Sequence, residues 1–318
     1  MRYYKITLTP SAQTVTAFAP ITYSTLNADG SNNTAALRVD MDIYQTMFHQ
    51  PAQNGLITIY GVPFADLNQS ANFNLANVSI EVGMSQGLPF ANPNQKGLII
   101  SGTILQAYGN FQGTDVRLNL IVTANPPSSS AYIPFIWTGS LEAAIRNTLI
   151  NVFNTTDDNI QGSLSPNLVT TEIQPAMFFS LTEMAKYVYE ISKTFNLGPK
   201  YIGARITESN GVFYLFDGTD TVPPNTTNIQ FTDIIGNLTW LDIGTIQAKL
   251  VMRNDIDVGN YITLPVSAPT TNVALKFGAG RGNINFSGVF LVTQVRHVGS
   301  SRQASADSWC TIVDAIIK

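Results

Sequence analysis

VFLVTQVRHVGSSRQASADSWCTIVDAIIK, residues 289–318, is the stretch on which the fold turns. Val289 to Arg296 alternates in the manner of a half-buried strand. A polar Gly-Ser-Ser loop follows, and a second apolar run opens at Trp309. The stretch reads as two antiparallel strands joined by a loop. It also holds one of two histidines, His297, one of three tryptophans, Trp309, and the only cysteine, Cys310. Such a cluster suits either an active site or a structural hairpin, and the rest of the chain has to decide between them.

The same layout occurs earlier. GLIISGTILQAYGN (97–110) is a long strand-like run, followed after a glycine-bearing turn by VRLNLIV (116–122). Two related β units in one chain explain this echo. Upstream, GLITIYGVP (55–63) and NVSIEVGM (77–84) are short β-branched runs, with Gly, Pro, Asn and Asp between the runs at the spacing of a sandwich or barrel. LRVDMDIY (37–44) places Leu37, Val39, Met41 and Ile43 on one face and Arg38, Asp40, Asp42 and Tyr44 on the other. That pattern predicts an antiparallel strand with one solvated face.

PPSSS (126–130) breaks the β pattern and predicts a linker. Two helices follow. Ser140 can cap SLEAAIRNTLINVF, in which Leu141, Ala144, Ile145, Leu149 and Val152 form one apolar stripe. In SLTEMAKYVYEISKTF (180–195), Ser180 and Glu183 have capping-box spacing, and Leu181, Met184, Val188, Ile191 and Phe195 form the apolar side. Between the helices the sequence predicts a loop with one short strand. From residue 200 strands resume: YIGARITE, GVFYLFDG, QAKLVMR, NYITLP and the closing pair. The expected fold class is mainly β with an α-containing insert (α+β). It divides into a first β-barrel domain (1–125), a linker and helical insert (126–199) and a second β-barrel domain (200–318).

Composition narrows the function. The chain is 44% hydrophobic but only 12% charged, about half the share usual in soluble domains. Amide and hydroxyl side chains fill the gap, which suits strands and large uncharged interfaces. With a net charge of −4 and no basic run, binding to nucleic acid through phosphate neutralisation is not expected. MRYYKITLTP lacks the apolar core of a signal peptide, and no window of 18 apolar residues predicts a membrane span.

Candidate catalytic and metal groups are few. A nucleophilic mechanism would draw its base from His49, in a polar turn, or from His297, at a strand end, and there is no G-x-S-x-G elbow. Cysteine and histidine pairs at metal-ligand spacing are absent. Asp255-Ile256-Asp257-Val258-Gly259 starts like a calcium loop but lacks the remaining ligands, so a turn is the expected reading. GAGRG (278–282) precedes a strand-like run rather than a helix N-terminus, which argues against a phosphate loop. Glycoside hydrolysis needs two carboxylates, and nothing in the pattern of six glutamates marks a pair. Trp137, Trp240 and Trp309 each lie in apolar strand contexts that predict core packing, and Cys310 predicts a buried, inert thiol. The expected protein is not an enzyme and takes no cofactor or metal.

Three runs carry a resemblance. GLIISGTILQAYGNFQG, FTDIIGNLTWLDIGTIQAKLVMRNDIDVGNYITLP and GVFLVTQVRHVGSSRQASADSWCTIVDAI resemble, in order and layout, the baseplate hub proteins of contractile-tailed bacteriophages. The related spike-bearing proteins of contractile secretion systems share the final arrangement. The resemblance implies two tube-like antiparallel β-barrels per chain and a homotrimer of pseudo-sixfold symmetry. That ring would join a sixfold tail tube protein to a threefold central spike protein among other baseplate components. It further implies a virion location in the tail baseplate, with assembly in the host cytoplasm. DNA would pass through the lumen during ejection without specific binding. On this reading His297 and Trp309 bracket the closing hairpin of the second barrel as structural residues. A tail-tube or distal-tail subunit is the nearest alternative. A receptor- or carbohydrate-binding β protein is the alternative of a different class, and it would need exposed aromatic residues on loops.

Overall fold

A ladder between the strands Arg38–Thr46 and Val289–Ser300 sets the architecture. In the computed structural model, β3 (Arg38–Thr46) pairs antiparallel with β17 (Val289–Ser300), from Asp40↔Ser300 to Thr46↔Gln294. The structure describes residues 2–48, 50–85, 92–112, 115–124, 132–198, 201–219, 226–242, 244–265 and 288–318. The predicted linker at 126–130, His49 and GAGRG lie outside the described residues.

The first β region contains β1 (Arg2–Thr9), β2 (Ile21–Ser24), β3, β4 (Gln50–Tyr60), a short helix α1 (Phe64–Asn68), β5 (Asn77–Met84), β6 (Gly97–Gln112) and β7 (Asp115–Thr123). The middle holds β8 (Ile133–Ser140), α2 (Leu141–Phe153), β9 (Ile160–Gly162), β10 (Val169–Phe178), α3 (Leu181–Lys193) and the hairpin β11 (Arg205–Ser209)–β12 (Val212–Phe216). The last region has β13 (Thr226–Asn228), β14 (Thr239–Asp242), β15 (Thr245–Val251), β16 (Tyr261–Thr263), β17 and β18 (Trp309–Ile317). One hydrogen-bonded path runs β14-β15-β18-β17-β3-β4-β7-β6-β5-β1-β2, while among the described residues β8 and β10 pair only with each other.

The mainly β class with a small helical part is as expected, but the expected barrels are not closed. In the first β region, closure would require β3 to meet β2 at the other end of the path. The free edge of β3 is taken instead by β17, so a single sheet passes through both β regions. In the last region the same edge of β17 is shared between β16, at Val289–Leu291, and β3, from Gln294 onward.

Long strands bend where their partners change. β6 pairs with β5 over Gly97–Thr103 and with β7 over Thr103–Gln112, with a bulge at Ile104/Gln106. A bulge adds an unpaired residue and bends the strand, which pushes Leu105 outward to 54% exposure. At the same corner a Cβ on Gly102 would lie 2.0 Å from the Thr123 carbonyl oxygen, so only glycine admits this approach.

Three cores result. The first gathers β1 to β7 around Tyr4, Ile6, Ile43, Ile57 and Phe73, and includes Trp309 from the last strand. The second gathers β15 to β18 around Tyr261, Phe290 and Val313, and includes Met47 and Phe216. The third packs β8, α2, α3 and the β11–β12 hairpin around Phe135, Trp137, Ile145, Met184 and Phe213. Both predicted helices are present. The Ser140 hydroxyl accepts from Ala143 N at 3.4 Å, and that of Ser180 accepts from Glu183 N at 3.2 Å. Glu183 reaches back to Phe179 N at 2.9 Å, one residue earlier than capping-box spacing predicts. The predicted alternation of β3 is seen directly: Val39, Met41 and Ile43 are buried, and Arg38, Asp40 and Asp42 face outward.

Candidate functional site

The closing hairpin is the first place to look for chemistry. His297 on β17 pairs with Thr311 on β18, and its Nδ1 lies 3.0 Å from the Thr311 hydroxyl. That hydroxyl also accepts from Arg253 N at 3.0 Å and donates to Arg253 O at 3.2 Å. The hydroxyl is therefore engaged by backbone and is not poised as a nucleophile. His297 is buried, and burial pulls its imidazole down to about 4, so the ring is neutral at physiological pH. Cys310 is buried too, and burial pushes its thiol up, which opposes thiolate formation.

Trp309 opens β18 yet packs in the first core. Its indole lies against Gly299, where a Cβ would come within 2.5 Å of the ring, and its Nε1 donates to Gly83 O at 2.9 Å. Arg2, at the start of β1, grips the loop of the same hairpin. Its guanidinium donates to Ser300 O (2.6 Å), Ser305 O (2.7 Å), the Ser308 hydroxyl (2.9 Å) and Gln303 O. Of the other tryptophans, Trp137 is buried and Trp240 is half-buried against Phe290.

Charged groups tie the two β regions together. Arg253 is 3% exposed and holds Asp255 in a bidentate pair at 2.6 and 2.7 Å, with Asp233 at 3.0 Å. The second oxygen of Asp233 accepts from Gln95 Nε2 at 3.0 Å, and Gln95 O accepts from Asn254 N at 3.1 Å. Gln95 stands just before β6, so this network crosses between the regions. Buried ions lose hydration, and the bidentate geometry with its added hydrogen bonds offsets that loss.

The tip of the β11–β12 hairpin is wedged between all three cores. Asn210 and Gly211 have positive φ, as a type I′ turn requires. The Asn210 side chain accepts from Ser101 N on β6 at 2.9 Å, and Glu208 bridges Ala52 of β4 in a parallel pair. Gln45 on β3 donates to Glu208 O at 2.8 Å, and the Ser209 hydroxyl donates to Asp257 at 2.6 Å. Glu208 itself is 1% exposed. One carboxyl oxygen accepts from Gly211 N at 2.6 Å, and the other has no hydrogen-bond partner among the described residues. Burial, opposed by the Gly211 N–H and assisted by the charge of Asp257, pushes the Glu208 carboxyl up to about 8. Asp257 is likewise raised by burial.

These two acids are the pair that the sequence pattern does not mark. Glu208 lies in the Glu-Ser-Asn-Gly turn and Asp257 in the Asp255–Gly259 turn, and the sequence predicts both turns but not their burial. They have the raised carboxyl that acid catalysis uses, but Glu208 is sealed from solvent. Asp255 and Asp257, read as a turn, contact Arg253 and Ser209 respectively.

An open groove of about 750 Å³ lies elsewhere, on the outer face of β4, β7 and β6. Leu56, Ile121, Leu105 and Tyr108 line it together with Tyr44, Asn54, Gln294 and the exposed Arg296–Asp42 pair (2.6 Å). A shallow, partly apolar lining with one self-neutralised ion pair suits contact with another surface better than catalysis.

The fold is that of known tail proteins. The chain aligns with the tail protein from Neisseria meningitidis MC58 at a TM-score of 0.50 and 10% identity, covering 98% of this chain and 96% of that one. It aligns with the 43 kDa tail protein of prophage MuSo2 from Shewanella oneidensis at a TM-score of 0.50 and 5% identity, covering 99% and 98%. No family model and no curated protein matches the sequence. Among the described residues, no helix is long and apolar enough to cross a membrane.

Proposed function

We propose that this chain is a structural component of a phage tail, a baseplate hub. Three copies would form a ring joining a sixfold tail tube to a threefold central spike within the baseplate of the virion. The ring would enclose part of the channel through which DNA leaves. The observation that carries this reading is the end-to-end likeness of fold to two tail proteins, each matched over nearly its whole length. The continuous β3–β17 sheet supports it, because one chain then holds two β regions rigidly side by side. A trimer of such chains offers six β units to a sixfold partner.

The reading assigns no enzymatic role. His297 and Trp309 would serve as structural residues of the closing hairpin, consistent with their burial. The divisions at 1–125, 126–199 and 200–318 belong to the same proposal, as the two β domains and the insert between them, with the β11–β12 hairpin of the third segment packing on the core of the insert. A channel lined by a mildly acidic protein would let DNA pass without holding it, since phosphates are repelled.

The test is reconstitution with the tail-tube and spike proteins encoded by the same virus. Surface-based binding should show the chain holding both at once, on separate faces. Binding to neither would overturn the hub assignment. Co-assembly with the tube protein into one continuous cylinder would favour a tube subunit instead.

A further inference from the structure

Among the described residues, nothing covers the outer face of the β8–β10 ribbon. Ile133, Phe135 and Trp137 turn inward onto the third core, while Pro134 and Ile136 face out. On β10 and just beyond it, Ile173, Pro175, Met177 and Phe179 recur at every second position and are all exposed, at 72% for Ile173, 65% for Met177 and 74% for Phe179. Register brings Met177 opposite Pro134 and Pro175 opposite Ile136, so these four share one face, and Phe179 just past the ladder and Ile173 at the irregularity between Thr170 and Gln174 extend the stripe along β10. Ile173, Met177 and Phe179 are each more than 60% exposed, so the patch can supply a substantial part of the ~800 Å² that each partner gives to a standard interface. Glu172 is the only charged residue on either strand. Each strand also carries a proline, which removes a backbone donor and disfavours pairing by strand addition. Side-chain packing of the face is what remains.

The chain presents a second surface with an apolar part: the shallow Leu56–Leu105–Tyr108 groove, in which Arg296 and Asp42 are paired with each other. A cyclic ring uses heterologous contacts, in which each subunit offers two different complementary patches. Ribbon and groove are two such patches, made by the insert and by the first β region.

We propose that the apolar face of the β8–β10 ribbon seats in the Leu56–Leu105–Tyr108 groove of a second copy of this chain. The inference rests on the ring reading above and names the surfaces that would close the ring. Ile173 and Met177 are the anchors, because they are large and among the most exposed side chains of the stripe. The bulge at Ile104/Gln106 acts at the receiving end by projecting Leu105 into the contact.

Light scattering on the unaltered chain, on Ile173→Asp/Met177→Asp and on Leu105→Asp tests the pairing. The expected result is a three-chain mass for the unaltered protein and a one-chain mass for both variants, with far-UV circular dichroism unchanged. Cross-linking gives a readout independent of stability. Met177→Cys chains and Leu105→Cys chains are mixed and treated with a short bis-maleimide. The native Cys310 is buried, so background is low. Linked dimers should form in the mixture and not in either variant alone. A three-chain mass that survives all substitutions would overturn the ribbon–groove contact and leave the hub reading standing. Loss of assembly without cross-links would overturn this particular pairing. An unaltered chain that stays single at high concentration would overturn self-docking, while tube and spike binding would still test the hub reading separately.

Discussion

The indole nitrogen of Trp309 donates to the carbonyl of Gly83 at 2.9 Å across 226 positions of sequence, fixing the last strand to the first β region. Together with the Arg2 grip on the 300–308 loop, it makes the two ends of the chain one structural unit.

Removing that side chain should therefore loosen both β regions at once. Trp309→Ala is expected to lose about 3–5 kcal/mol, the range for large aromatic truncations in a core. Trp309→Phe keeps much of the packing but strands the Gly83 carbonyl, and should lose about 1–3 kcal/mol. Denaturant midpoints measure both. A loss below ~1 kcal/mol for Trp309→Ala would show that the ring does not anchor the hairpin.

Glu208 predicts an alkaline weakness. Its carboxyl is raised from 4.5 to about 8 in the fold, so the folded state keeps a proton that the unfolded state has lost. A group of this sign leaves stability intact below pH 4.5 and erodes it as pH rises toward 8, by about 1.4 kcal/mol per pH unit at most. Glu208→Gln should match the parent near pH 5 and exceed it in melting temperature at pH 9. Parallel pH profiles for parent and variant would contradict this. Asp257, raised in the same direction, will leave a residual slope.

His297 acts on the acid side. Its imidazole is lowered from 6.5 to about 4 by burial, so its contribution is present above pH 6.5 and lost as pH falls toward 4. Carboxylates elsewhere add to acid unfolding in parent and variant alike, so the comparison isolates the histidine. His297→Gln should narrow the gap between melting temperatures at pH 7 and pH 4.5. An unchanged gap would mean that the ring is not held neutral.

The sequence showed those elements whose two faces differ. Ser140 and Ser180 with their apolar stripes located α2 and α3, and the Val39–Asp40–Met41–Asp42 alternation located β3. β10 was hidden because its outward residues, Ile173, Pro175 and Met177, are as apolar as a core face, while its inward neighbours include Gln174 and Ala176. Pro175 further disguised it as loop. Closure is not legible in the sequence for another reason: local pattern locates strands but not their edges. Nothing near residue 40 indicates that its partner lies near residue 300. Glu208 escaped notice likewise, since a Glu before an Asn-Gly turn ordinarily faces water, and only the convergence of three cores buries it.

The mass and shape of the purified chain in solution test the hub reading most directly. Light scattering with negative-stain images should show three chains in a ring with a central hole. Sixfold rings or stacked tubes would contradict the hub and point to a tube subunit.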